Sequence, residues 1–448
     1  MATSTLMIGI SGVRGIVGES LTPQLLIHLG EAFGTYLDSG RVVVGRDTRV
    51  SGEMVKHSVF AGLLATGCSI VDVGVCPTPS LTLMIEEIGA AGGIMISASH
   101  NPIQWNALKF FRADGGYLTD LDARQLLDLY YQGEFRKARW HEIQDVSTDA
   151  RAVEVHARRV LSVVDVERIR ARAFRVALDC CNGAGSEVTL RVLRELGCRI
   201  ENIHCEMDGL FPHDPEPTFL NLGDLCRLVE QGDVDVGFAQ DPDADRVAIV
   251  DETGRFIGEE YSLALAARHL LGKRTGTVVA NVSTSRAVDD VARAAGCRVE
   301  RVPVGEVNVA ERMRELDSPV GGEGNGGVID PRVHYSRDSL VGIALTLELM
   351  AETGKSLGEL VNAIPRYHMV KTKVDCNRQR AGEILRRVRE EYASAEINLS
   401  DGVRIDWPDA WVHLRGSNTE PVLRVIAEAA GEARARSLAD EFVAKAKR

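Results

Sequence analysis

Three aspartates at alternate positions, Asp241, Asp243 and Asp245, stand in the run Asp241-Pro242-Asp243-Ala244-Asp245-Arg246, between the apolar stretches VDVGF and VAIV. In extended backbone, carboxylates at i, i+2 and i+4 face one side, so three anions converge and repel unless a cation joins them. An all-oxygen ligand set suits a hard ion, and Mg²⁺ keeps coordination positions for water or a phosphate oxygen. The plain alternative is a solvated acidic turn, which the triple spacing between two strands outweighs. An EF-hand loop also begins D-x-D-x-D, and Glu252 takes its twelfth position. That loop needs glycine where Arg246 stands and helices where the flanking strands stand, so it is rejected.

A second chemical segment is GIMISASHNPIQWNALKFF, from Gly93. An apolar strand runs into Ser97, Ser99 and His100, and Asn101-Pro102 forces a turn. Ser99 at a strand end is well placed to be a nucleophile, but Ser-Ala-Ser-His-Asn is not the G-x-S-x-G of an acyl hydrolase. A serine turn that caps backbone groups is the bland reading. A third segment, Arg415-Gly416-Ser417-Asn418-Thr419-Glu420-Pro421 with Arg424, collects guanidinium, hydroxyl and amide donors suited to a phosphate dianion, or else forms a charged hairpin. Gly12-Val13-Arg14-Gly15 and Gly45-Arg46-Asp47-Thr48-Arg49 place arginines among small residues, either to approach a phosphate or to shape turns. Gly322-Glu323-Gly324-Asn325-Gly326-Gly327 satisfies G-x-G-x-x-G, yet VIDPRVHY follows it and no helix opens there, so it is not a dinucleotide site.

These loops need strands and helices to hold them, and three stretches share one layout: a β-branched run, a small or polar loop, an amphipathic helix, Gly-Cys, and another apolar run. They start at Arg41, Phe174 and Thr277, and Gly67, Gly197 and Gly296 sit where a helix C′ glycine belongs. Each reads as a βαβ unit, so three homologous mixed α/β domains are expected. The tail differs: strand HMVKTKV, helix RAGEILRRVREEYA, a hairpin around Asp401-Gly402, strands near WVHL and VLRVIAEA, and a last amphipathic helix, giving a C-terminal α+β domain. The expected domains are 1–150, 151–252, 253–365 and 366–448, around a central cleft.

Composition agrees with a soluble α/β protein: 448 residues, 45% hydrophobic, 26% charged and 43 Gly. A net charge of −12 argues against a nucleic-acid partner or an anionic membrane surface, so any phosphate must meet a local cationic cluster. The nine cysteines are odd in number and lack a C-x-x-C pair, which fits neither a disulfide framework nor a zinc knuckle. With no secretory-type N-terminus and no apolar run of about 18 residues, a cytoplasmic location is expected.

Four of these segments, in this order along the chain, resemble the signatures of the α-D-phosphohexomutases: SASHNP, DPDADR, the Gly322-Glu323 loop and RGSNTEP. The resemblance implies four domains around a cleft, each contributing a loop, and interconversion of hexose 6-phosphate and hexose 1-phosphate through a phosphoserine and a hexose 1,6-bisphosphate. By that resemblance Ser99 is the phosphoserine, and Ser99 with Asp241, Asp243 and Asp245 holds Mg²⁺. Arg14, Lys109, Arg246 and His100 line the transfer site, with Lys109 handling the proton. Glu323 and Asn325 meet the sugar, and Arg415, Ser417, Asn418, Thr419 and Arg424 grip the phosphate that stays. The sugar loop departs from the family's commoner Gly-Glu-x-Ser-Gly-His: Asn325 can replace the Ser, whereas Gly327 cannot replace the His. Glucosamine is the expected sugar because of the Thr-Glu-Pro ending, with mannose or glucose as the alternative. An Asp-nucleophile phosphatase and a non-catalytic sugar-phosphate sensor are the rival classes, and a monomer or homodimer is expected.

Overall fold

Each repeated stretch folds as its pattern predicts. Strand Val42–Arg46 pairs in parallel with Ile70–Val75 across the helix Gly52–Ala65. Arg175–Asp179 pairs with Arg199–Ile203 across Gly185–Glu195, and Thr277–Asn281 with Arg298–Val302 across Ala287–Ala294. The β-branched runs suit strands buried on both faces, and the helices carry an apolar stripe such as Val188, Val192 and Leu193. Gly67, Gly197 and Gly296 end these helices at φ of 85°, 76° and 69°, in the left-handed region that side chains rarely adopt.

The computed structural model describes residues 5–9, 12–417 and 422–447. The chain divides into two compact units, Met1–Ser262 with Gly326–Gly358, and Leu263–Asn325 with Glu359–Arg448. The first unit holds two sheets. In one, Gly92–Ile96 lies parallel to Val42–Arg46 and turns back through an antiparallel Trp105–Arg112. In the other, Val236–Gln240 lies parallel to Arg175–Asp179 and turns back through an antiparallel Val247–Asp251. In the second unit Gly321–Glu323 lies parallel to Thr277–Asn281. The loops carrying Ser99, the aspartate triplet and Asn325 therefore leave topologically equivalent strands, at the carboxyl ends where open α/β sheets place ligands.

The second unit also contains an antiparallel five-stranded sheet in the order His368–Asp375, Val422–Ala429, Ala410–Gly416, Val403–Asp406, Glu396–Asn398. Ile384 and Val388 of the helix Arg378–Glu391, and Leu438 and Phe442 of Glu432–Lys447, pack on Leu414 and Val425. All nine cysteines are free thiols, in line with their odd count. No described helix is long and apolar enough to cross a membrane.

Candidate active site

Ser99 sits in the loop between Gly92–Ile96 and Trp105–Arg112, 4% exposed, with φ at 50°. A left-handed non-glycine residue costs on the order of 1–2 kcal/mol, so its surroundings must hold it. Arg49 does this. Its guanidinium donates to the carbonyl oxygens of Ser99 and Asn101, at 2.6 Å each, and to those of Pro102 and Trp105, at 2.8 and 3.0 Å. Arg49 is itself pinned by Asp47 at 3.1 Å, and Ser97 Oγ donates to the same carboxylate at 2.7 Å while accepting the Ser99 amide at 3.0 Å. Of the two roles open to the Gly45–Arg49 segment, Arg49 serves the shaping of a turn.

Ser99 Oγ donates to Asp241 Oδ2 at 2.7 Å. The run from Asp241 to Asp245 is a turn rather than extended backbone, with Ala244 at φ 52°, a correction to the alternation argument. The turn converges the carboxylates all the same: one oxygen from each of Asp241, Asp243 and Asp245 lies within 4.8 Å of the others, and all three residues are fully buried.

Cations surround this buried charge. Lys109, on Trp105–Arg112, donates to Asp243 Oδ2 at 2.5 Å and lies 4.0 Å from Asp245. Thr78, at the start of the helix Thr78–Ile88, donates through its hydroxyl to the same Asp243 oxygen at 2.5 Å and through its amide to the Asp243 carbonyl at 3.0 Å. Arg337 donates to Asp245 Oδ2 at 2.5 Å, and Arg246 Nε stands 3.6 Å from Asp245 Oδ1. Arg14 donates to Asn101 Oδ1 at 3.1 Å. Its strand is drawn against Trp105–Arg112 at Gly12, φ 113°, where a Cβ would come 2.1 Å from the Leu108 carbonyl oxygen.

The electrostatics are uneven. Burial, then Asp245 and Asp243, push Asp241 well above the usual carboxylate range. Burial would raise Asp243 too, but the charge and hydrogen bond of Lys109 outweigh it and hold Asp243 well below that range. Against its own burial, Lys109 is raised by Asp243 and stays protonated. Burial, with Arg246 and Arg14 adding to it, keeps His100 neutral, with Nδ1 3.3 Å from Ser99 Oγ. Asp243 Oδ1 and Asp245 Oδ1 are buried without a hydrogen-bond partner. Two orphaned carboxylate oxygens in an all-oxygen cluster are what a hard divalent cation would satisfy, so these residues fit a metal of the magnesium class.

In the second unit Glu323 is 4% exposed, and its Oε1 accepts from Asn281 Nδ2 at 2.8 Å and from the Gly305 amide at 3.1 Å. Asn325 Nδ2 lies 3.5 Å from Glu323 Oε2. Arg415 and Arg424 stand directly opposite each other on adjacent antiparallel strands, and Lys373 faces Arg424 from the other side. Three cations therefore stand in register across the sheet. Arg415 also pairs with Asp401 at 3.0 Å, and the Ser417 amide donates to the Val422 carbonyl at 2.9 Å. Asn418 and Thr419 lie outside the described residues.

Sequence reasoning missed Thr78, Arg337, Asn281 and Lys373 as site neighbours. A periodicity signal marks none of them; each arrives by tertiary convergence, as Arg337 does across 92 positions to Asp245.

The sequence profiles of phosphoglucomutase/phosphomannomutase match end to end: alpha/beta/alpha domain I over 5–137, domain II over 154–254, domain III over 259–367 and the C-terminal domain over 370–445. A probable phosphoglucosamine mutase of Methanopyrus kandleri is 42% identical, covering 97% of this chain and 96% of its own. A phosphoglucomutase/phosphomannomutase of Thermococcus kodakarensis is 39% identical, covering 96% of each. The crystal structure of a phosphoglucomutase/phosphomannomutase family protein from Burkholderia thailandensis superposes with a TM-score of 0.86 at 26% identity, over 98% of both chains. With the whole chain matched in this way, and its fold shared, the protein belongs to the α-D-phosphohexomutase family.

Proposed function

We propose that this phosphohexomutase carries its phosphoryl group on Ser99 and that its preferred sugar is glucosamine, as the 6-phosphate and 1-phosphate. The observation that carries the first half is the Ser99 Oγ to Asp241 contact of 2.7 Å, inside an anionic cluster ringed by Lys109, Arg246 and Arg337. Phosphoryl transfer needs in-line positioning and neutralisation of charge on the equatorial oxygens more than covalent help. Mg²⁺ held by Asp241, Asp243 and Asp245 would supply Lewis-acid polarisation of the phosphoserine oxygen.

The remaining work falls to this chain's own groups. Arg49 fixes the Ser99 backbone, Lys109, which stays protonated, neutralises developing charge and relays a proton, and neutral His100 lies beside Ser99 Oγ. In a first pass the bond from Ser99 Oγ to phosphorus breaks and one from the free sugar hydroxyl forms; that hydroxyl's proton is relayed through Lys109 to the Ser99 oxygen that leaves phosphorus. The bisphosphate turns over, and in the second pass its other phosphate returns to Ser99. Glu323 is the candidate for the sugar hydroxyls, and Arg415, Ser417 and Arg424 for the phosphate that is not being moved. An Asp-nucleophile phosphatase would leave the hydrogen-bonded, conformationally held Ser99 without a purpose.

Sugar choice rests on the Thr-Glu-Pro ending and on the name of the Methanopyrus relative, while the Thermococcus relative's name favours glucose and mannose. The decisive comparison is kcat/KM for the 1-phosphates of glucosamine, glucose and mannose under one set of conditions. Glucosamine is expected to lead. A tenfold preference for either rival, about 1.4 kcal/mol, overturns the sugar and spares the phosphoserine.

A further inference from the structure

A second set of ligating atoms lies in the first unit, apart from the aspartate triplet. Asp179 closes the strand Arg175–Asp179, His204 follows Arg199–Ile203, and His213 sits in the loop beyond. Asp179 Oδ2 is 3.0 Å from His204 Nδ1 and 3.2 Å from His213 Nε2, and the three atoms lie within 4.8 Å of one another. A tetrahedral ion with bonds of about 2.0–2.1 Å separates its ligands by about 3.3 Å, close to these spacings.

The far sides of two of the three ligands are already fixed by hydrogen bonds. Asp179 Oδ1 accepts the Cys181 amide at 2.9 Å. His213 Nδ1 donates to the Asp214 carbonyl at 2.8 Å, and His204 Nε2 is 3.9 Å from Asp224 Oδ2. A carbonyl only accepts, so the His213 proton is on Nδ1. Nε2 then faces the Asp179 carboxylate across 3.2 Å, where a positive charge, either a second ring proton or a metal ion, joins the two. Outer hydrogen bonds that orient the ligating atoms inward are a hallmark of metal sites.

The backbone is held in place at a cost. Cys181, Asn182 and His204 adopt φ of 50°, 51° and 53°. They are tied by the Asn182 amide to the His204 carbonyl at 2.6 Å and by Asn182 Nδ2 to the Leu210 carbonyl at 2.9 Å. Asp179 is 1% exposed and the two rings 22% and 15%, so the cluster is rigid on one side and open to solvent on the other.

We propose that Asp179, His204 and His213 form a binding site for a divalent transition metal of the zinc class, with a fourth position left to water. Two imidazoles and one carboxylate suit zinc and disfavour magnesium, which wants oxygen alone. The site is structural. The turn that follows Asp179 supports the Asp241–Asp245 loop: the Ala184 amide donates to the Pro242 carbonyl at 2.8 Å, and a Cβ on Gly183 would come 2.6 Å from Pro242 Cα. The competing occupant is a proton on each ring. Burial opposes it at His213, but the Asp179 hydrogen bond prevails and pushes that ring up to about 11.

The test is a zinc titration of chelator-stripped full-length protein, with excess Mg²⁺ present to occupy the aspartate triplet, followed by metal analysis and by thermal melting. One tight equivalent and a higher Tm are expected in wild type and in Asp243→Asn. Affinity should fall at least about a hundredfold in His213→Gln and in His204→Gln. Absence of a tight equivalent in wild type, or unchanged affinity in both histidine variants, overturns the proposal. Cobalt(II) gives a second readout: strong tetrahedral ligand-field absorption in wild type that is lost in His213→Gln and in His204→Gln supports the site, and weak octahedral absorption alone, or tetrahedral absorption unchanged in both variants, rejects it.

Discussion

Replacing Lys109 by methionine removes one charge from the middle of the aspartate cluster and keeps the aliphatic stem. The lysine side chain is 5% exposed and its partner Asp243 not at all, at 2.5 Å. Breaking a buried ion pair from one side costs about 3–5 kcal/mol, because the remaining charge is stranded. At roughly 2 °C per kcal/mol for a large domain, the metal-free variant should melt ~6–10 °C below wild type. The sign at neutral pH is definite: Asp243 is held below its ordinary value of 3.8, so its stabilisation is fully present above that value and lost as pH falls toward its lower folded one. At pH 7 the variant forfeits all of it. Lysine and Mg²⁺ compete for the same carboxylates, so the variant should gain more from the ion; a ligand at a hundred times its Kd contributes about 2.7 kcal/mol. The assay is thermal melting of both proteins, in chelator and in saturating Mg²⁺. A variant melting with wild type in chelator, or gaining no more than wild type from Mg²⁺, would refute the electrostatic reasoning. Activity is a separate readout and should fall about 10²-fold or more.

Two further perturbations address other parts of the molecule. Arg415→Ala should weaken the grip on the stationary phosphate by about 2 kcal/mol, raising KM roughly thirtyfold with little change in Ser99 phosphorylation, and steady-state kinetics with intact mass check both. Asp338 caps the helix Ser339–Thr353 and takes hydrogen bonds from His156 at 2.8 Å and His334 at 3.0 Å. Against its burial, these rings hold it well below 3.8. Its stabilisation is therefore complete above that value and lost as pH falls through the window beneath it. Asp338→Asn should be less stable than wild type at pH 7, and the gap should close on acidification, as read from denaturant midpoints.

The repeats were legible because β-branched runs, an apolar helical stripe and a glycine stop recur together, and each of those is a local rule. The five-stranded tail was legible for the same reason, its Asp401-Gly402 turn having Gly402 at φ 71°. The aspartate triplet was legible through composition and spacing, yet the extended geometry assigned to it was wrong. Ala244 in the left-handed region folds the run into a turn, and convergence comes from that turn instead of strand alternation. Arg49 could be read only as one of two things; its four carbonyl contacts come from residues 50 to 56 positions away. Thr78 reaches Asp243 across 165 positions, and no local pattern announces that.

The most direct test of the account is the fate of the phosphoryl group. Wild-type protein incubated with labelled hexose 1,6-bisphosphate should carry one label on the peptide containing Ser99. Added unlabelled sugar monophosphate should remove it as labelled bisphosphate, and Ser99→Ala should neither take up label nor interconvert the monophosphates. Full mutase turnover by Ser99→Ala, or label found on an aspartate of the Asp241–Asp245 loop, would contradict the central claim.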